Sequence, residues 1–143
     1  PRVVHIMGGT NDLAGNTGPN RAEDYRANIR AMVALARANG IRVVIGSILP
    51  ADHFNWAPGI NPARQVIELN AWLRQFASDN GLVYADYHGA LAGRDGELPA
   101  RYSGDGVHPN AAGYAVMLPI AERALAEAEG AGPPQVESPA GRR

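Results

Sequence analysis

A chain of 143 residues suits one domain, long enough to bury a core. Its 13 basic side chains, all arginine, against 14 acidic ones leave a formal net charge of -1, which excludes a general electrostatic attraction to nucleic acid or to an anionic membrane surface. Cysteine is absent, which removes disulfides, thiolate metal sites and a cysteine nucleophile, and no apolar run approaches the roughly 18 residues of a membrane span.

Val3 to Met7 is an apolar run broken only by His5, and it ends in Gly8-Gly9, as a buried strand does when it leaves a sheet into a tight loop. The polar stretch "TNDLAGNTGPN" follows as a loop. Tyr25, Ile29, Met32, Val33 and Ala36 then recur at helical spacing, with Asn39-Gly40 as a stop signal, so an amphipathic helix is expected over Arg21 to Ala38. "IRVVIGSILP" predicts a second strand, Arg42 to Leu49, apolar enough to be buried on both faces and ended by Pro50. Asn61-Pro62 opens a second helix whose Val66, Leu69, Leu73 and Phe76 share one face, and Asn80-Gly81 closes it. Leu82 to Asp86 reads as a third strand. A long loop leads to a last helix from near Asn110 to about Glu129, which Pro119 should kink. The alternation of strands and helices implies an α/β fold with parallel strands and right-handed crossovers. One domain is expected over residues 1–129, and the aperiodic, Pro/Gly-rich stretch 130–143 is expected to be a mobile tail.

Ligands of open parallel sheets bind beyond the carboxyl ends of the strands, so three loops carry the search for chemistry. The first opens "GGTND", where the Asn11 amide has two hydrogen bonds to donate and could support an oxyanion; an ordinary Asx-turn is the competing reading. The third holds "SGDGVHPN", where a carboxylate at Asp105 could fix the tautomer of His108 and support its positive charge, although Asp-Gly is also common turn chemistry. The second, "ADHFNWAPG", places Phe54 and Trp56 beyond the middle strand, either as an aromatic rim for a substrate or as a cover for the core. His5 and His88 read as structural. Four histidines without ligand spacing do not make a metal site.

"GGTND" after the first strand and "DGVHPN" before the last helix, in this α/β order, together resemble the SGNH hydrolases, also called GDSL-type lipases and esterases. The resemblance implies a flavodoxin-like three-layer α/β/α domain with a parallel sheet of about five strands. It also implies a serine esterase chemistry on a small-molecule or lipid acyl ester, with no metal and no cofactor. Carried over by position, His108 is the general base, Asp105 its orienting carboxylate, Asn11 an oxyanion donor, and Gly9 the glycine that opens the oxyanion block and a second candidate at the hole. The family's Gly-Asp-Ser block and the glycine block that follows it have no counterpart here. The expectation is therefore a fold truncated to its last three strands and helices, and a chain inactive by itself. Ser47, in "VIGSILP", lacks the glycine that a nucleophile elbow needs, and Ser103 stands too near Asp105 in the same loop to face His108.

A non-catalytic α/β binding module, or a pseudoenzyme completed by another chain, is the alternative. Such a module would carry an exposed sheet edge and apolar surface that favour association.

Overall fold

The run RVVIG has no polar face, and a strand of that kind needs neighbours on both edges and cover on both sides. In the computed structural model, which describes residues 1–16, 18 and 21–130, it is the middle strand of three. The elements follow the order β1 (Val3–Ile6), α1 (Thr10–Leu13), α2 (Ala22–Ala38), β2 (Arg42–Gly46), α3 (Ala63–Asp79), β3 (Val83–Ala85), α4 (Tyr87–Leu91) and α5 (Ala111–Gly130). The sheet order is β1-β2-β3. Both pairings are parallel, with Val4 opposite Val43, His5 opposite Val44 and Ile45 opposite Tyr84.

Successive residues of β2 point to opposite faces, and each face has its own helices. Val43 and Ile45 meet Tyr25, Ile29 and Val33 of α2 and Val66, Leu69 and Leu73 of α3. Val44, on the other face, meets Met117, Ala124 and Ala128 of α5 together with Ala85, Tyr87 and Leu91. The result is a three-layer α/β/α fold around a parallel sheet. A smaller cluster of Ala14, Ala51, Phe54 and Val107 lies beneath the loops at the carboxyl end of the sheet.

The strands stop sooner than their apolar runs. Past β2, Ser47 N still donates to Ala85 O (3.0 Å), but the next residue leaves the ladder. The backbone N–H of Ile48 donates to Asn70 Oδ1 (2.8 Å), and its carbonyl accepts from Asn70 Nδ2 (2.9 Å). The buried Asn70 amide on α3 thus serves both backbone groups of Ile48 as a neighbouring strand would, and the chain is free to turn over the sheet. An apolar run alone cannot reveal that exchange.

Two short helices, α1 and α4, occupy stretches that read as loop. Asp86 caps α4 by accepting from Gly89 N (2.9 Å), and Asn110 caps α5 by accepting from Ala112 N (2.9 Å) and Gly113 N (3.1 Å). Pro119 sits inside α5 without ending it. Both Pro119 and Ala115, whose carbonyl loses its helical partner, are exposed, so water can satisfy the orphaned oxygen. Gly130 closes α5 rather than opening a tail, and the remainder of the expected tail, 131–143, lies outside the described residues.

Gly9 turns the chain from β1 into α1. Its φ is 129°, a conformation that L side chains rarely adopt, and a Cβ there would lie 2.6 Å from Ile48 Cδ1 and 3.1 Å from the Tyr25 ring. Tyr25 in turn donates its hydroxyl to Gly8 O (3.0 Å), fastening α2 to the same turn. Gly8 itself has open space around a would-be Cβ. Gly9→Ala should therefore destabilise the fold by about 1–3 kcal/mol in urea unfolding, while Gly8→Ala should stay within about 0.5 kcal/mol of the parent. Equal effects would contradict this account of the turn.

Candidate active site

The loop before α5 is held by one carboxylate. Asp105 Oδ1 accepts from the backbone N–H groups of Val107 (2.9 Å) and His108 (2.8 Å) and from Ser103 Oγ (3.0 Å). Its other oxygen, Oδ2, lies 2.7 Å from His108 Nδ1. The His108 backbone bond, then the His108 ring, then the Val107 bond hold the carboxyl of Asp105 well below the usual carboxylate range. An ionised carboxylate can only accept, so Nδ1 must carry the proton that joins the two side chains. In the neutral ring this leaves Nε2 with its lone pair, which is what a general base requires. The pair is accessible, with 74% of the His108 side chain exposed.

His108 lines a cavity of about 270 Å³ together with Gly9, Asn11, Ile48, Trp56 and Tyr114. Loops from all three strand ends contribute to it, as expected at the carboxyl edge of a parallel sheet. Asn11 stands in α1, exposed, with Oδ1 accepting from Asn16 Nδ2 (2.9 Å). Asn16 Oδ1 accepts in turn from the indole N–H of Trp56 (2.9 Å). The Trp56 ring lies 6.3 Å from that of His108, tilted by 34°. The preceding residue, Asn55, donates from Nδ2 to the carbonyl of Asp105 (3.2 Å). The loop after β2 therefore touches both halves of the site.

Phe54 and Trp56 part company. Trp56 is 47% exposed at the cavity, whereas Phe54 is 1% exposed and stacks on Trp56 with ring centroids 5.3 Å apart. Phe54 is thus a core residue and a support for Trp56 rather than part of a rim, because the loop folds back over the Ala14, Ala51 and Val107 cluster. Both serines near the site are buried and engaged. Ser47 Oγ accepts from His88 N (2.8 Å), and Ser103 Oγ donates within its own loop while accepting from Gly106 N (2.9 Å). His88 is half-buried and His5 more exposed, and desolvation pushes both rings down, opposed at His88 by Asp86. His5 meets the Tyr87 hydroxyl at 3.2 Å. His53 pairs with its neighbour Asp52 (2.7 Å) and packs where Gly106 has no side chain, a Cβ there falling 2.7 Å from the ring. Among the described residues no group of three His, Cys, Asp or Glu could hold a metal ion.

Asn16 and Asn55 carry no sequence signal that sets them apart, since asparagine in a loop is ordinary turn chemistry. Their partners stand 40 and 50 residues away, a separation that only the fold closes.

Residues 1–116 match the model of the GDSL-like lipase/acylhydrolase family. The chain belongs to that family. Solved relatives agree with this placement. A GDSL-like lipase from Bacteroides thetaiotaomicron VPI-5482 is 36% identical with a TM-score of 0.85, over 90% of this chain and 63% of its own. A Bacteroides fragilis NCTC 9343 protein assigned as an acylhydrolase is 38% identical, also with a TM-score of 0.85, over 89% of this chain and 62% of its own. A catalytic mutant of an acetylxylan esterase from Geobacillus stearothermophilus, 20% identical with a TM-score of 0.67, shares the fold. The chain thus spans less than two thirds of the length of these relatives. No curated protein matches it.

The bonds to Asp105 make a prediction about acid. A carboxyl whose pKa is depressed on folding adds stability that is fully present above its unfolded value near 4 and fades as pH falls through the folded value. In urea titrations the stability gap between the parent and Asp105→Asn should narrow as pH falls from about 4 to 2. The side chain is 41% exposed, so screening keeps the effect small. A gap that does not change with pH would contradict the assignment.

Proposed function

We propose that this chain carries the base and oxyanion half of a serine ester hydrolase site, with the nucleophilic serine lying outside these residues. His108 Nε2 takes the proton of the serine hydroxyl as that oxygen attacks the ester carbonyl, and later returns it to the leaving alcohol. Asp105 holds the ring in the required tautomer and supports the imidazolium that forms. The Asn11 NH₂ donates to the carbonyl oxygen as it gains charge, while Gly9 shapes the turn that sets Asn11 beside the cavity. Water then attacks the acyl-serine by the same proton route. No metal or cofactor enters any step.

The observation that carries this reading is a single cavity lined by both Asn11 and a histidine whose Nδ1 is bonded to a carboxylate. The occupied hydroxyls of Ser47 and Ser103 favour a nucleophile from elsewhere. The names of the relatives, a lipase, an acylhydrolase and an acetylxylan esterase, support a carboxylic ester as substrate.

The test is turnover of a short-chain aryl ester. The chain alone should give none above background. Joined to the segment that precedes it in the parent protein, it should be active, and His108→Ala should lower kcat by at least about 10³-fold. An active protein indifferent to that substitution would overturn the proposal.

A further inference from the structure

An oxyanion site built on an asparagine side chain has a weakness that one built on backbone N–H groups lacks. The amide carries a donor and an acceptor of nearly equal size, and a half-turn about its last bond replaces a stabilising NH₂ with a repelling carbonyl. Something must decide which end faces the substrate. At Asn11 the deciding group lies two residues away in the hydrogen-bond chain.

The indole N–H of Trp56 can only donate. Its bond to Asn16 (2.9 Å) therefore obliges Asn16 to turn its carbonyl toward the indole and its NH₂ away. That NH₂ meets Asn11 at 2.9 Å, so Asn11 must answer with its own carbonyl. The Asn11 NH₂ is the end left over. Among the described residues nothing accepts from it, and Asn11 lines the cavity that His108 also lines. Each amide in the series transmits the sense of the one before, and the sense originates in a group that cannot reverse. Trp56 is itself held in place, stacked on the buried Phe54.

We propose that Trp56 and Asn16 are positioning residues that set the polarity of Asn11, so that it offers NH₂ and not carbonyl to the developing oxyanion. This rests on the role of Asn11 given above. With the indole donor removed, Asn16 is free to turn over and accept from Asn11, and the Asn11 carbonyl then faces the cavity. The expected harm falls on the transition state, where the oxyanion exists, and not on substrate binding.

Two variants isolate polarity from packing. Trp56→Phe keeps a ring on Phe54 without the donor. Asn16→Asp still accepts from the indole but has nothing to donate to Asn11. In the isotopically labelled 143-residue chain, the Asn16 side-chain amide should exchange slowly, and Trp56→Phe should speed it by about tenfold, the loss of one hydrogen bond. Unchanged exchange would overturn the relay without touching the catalytic reading. In the active, longer protein, Asn11→Ala should lower kcat by about 100-fold. Trp56→Phe and Asn16→Asp should each lower kcat by about tenfold with KM within about twofold, and neither should lower it further once Asn11 is alanine. If either variant costs as much in the Asn11→Ala background, the residue acts structurally and the relay is wrong. If Asn11→Ala itself costs nothing, the oxyanion role fails instead.

Discussion

The parallel pairing of β2 with both β1 and β3 is the constraint from which the rest follows. Because all three strands run the same way, their carboxyl ends lie on one edge of the sheet, and the three loops that leave them converge. Asn11 arrives from β1, Trp56 from β2 and His108 from the long connection after β3. The burial of Val44 and Ile45 on opposite faces of β2 supplies the apolar contact that keeps this arrangement closed. Where β2 must end so that its loop can cross the edge, the Asn70 amide takes over the hydrogen bonds that another residue of sheet would have made.

On that frame the site is built from hydrogen bonds with a fixed direction. The carboxylate of Asp105 collects two backbone donors, a hydroxyl and an imidazole. One ionised group thereby folds the loop and sets the tautomer of His108, so the two tasks cannot come apart. The indole of Trp56 does the corresponding work for the amides on the other side. Asn55 and Trp56, adjacent in sequence, bond to the Asp105 loop and to Asn16 respectively, which ties the loop of His108 and the amides around Asn11 to a single segment. At the cavity His108 and Asn11 are each held by a partner whose chemistry leaves it only one way to face.

Much of this was legible in the residues. The helical spacing of Tyr25, Ile29 and Val33 and of Val66, Leu69 and Leu73 is the spacing of the side chains that cover one face of the sheet, and the apolar run around Val44 announces a strand covered on both sides. "GGTND" and "DGVHPN" pointed to the two ends of one cavity and to the family. What could not be read depended on contacts distant in sequence. The early end of β2 reflects Asn70, 22 residues on. The division of Phe54 from Trp56 reflects a loop folding back on itself, since both are large aromatics in the same short stretch. Asn16 gains its meaning only because an indole 40 residues away donates to it.

The most direct test of the central claim is to find where a fluorophosphonate, which phosphonylates activated serines, attaches to the active, longer protein. Peptide mass spectrometry should place the adduct on a serine outside these 143 residues, and His108→Ala should abolish labelling. An adduct on Ser47 or Ser103, or labelling that survives the loss of His108, would contradict the assignment of this chain as the base and oxyanion half of the site.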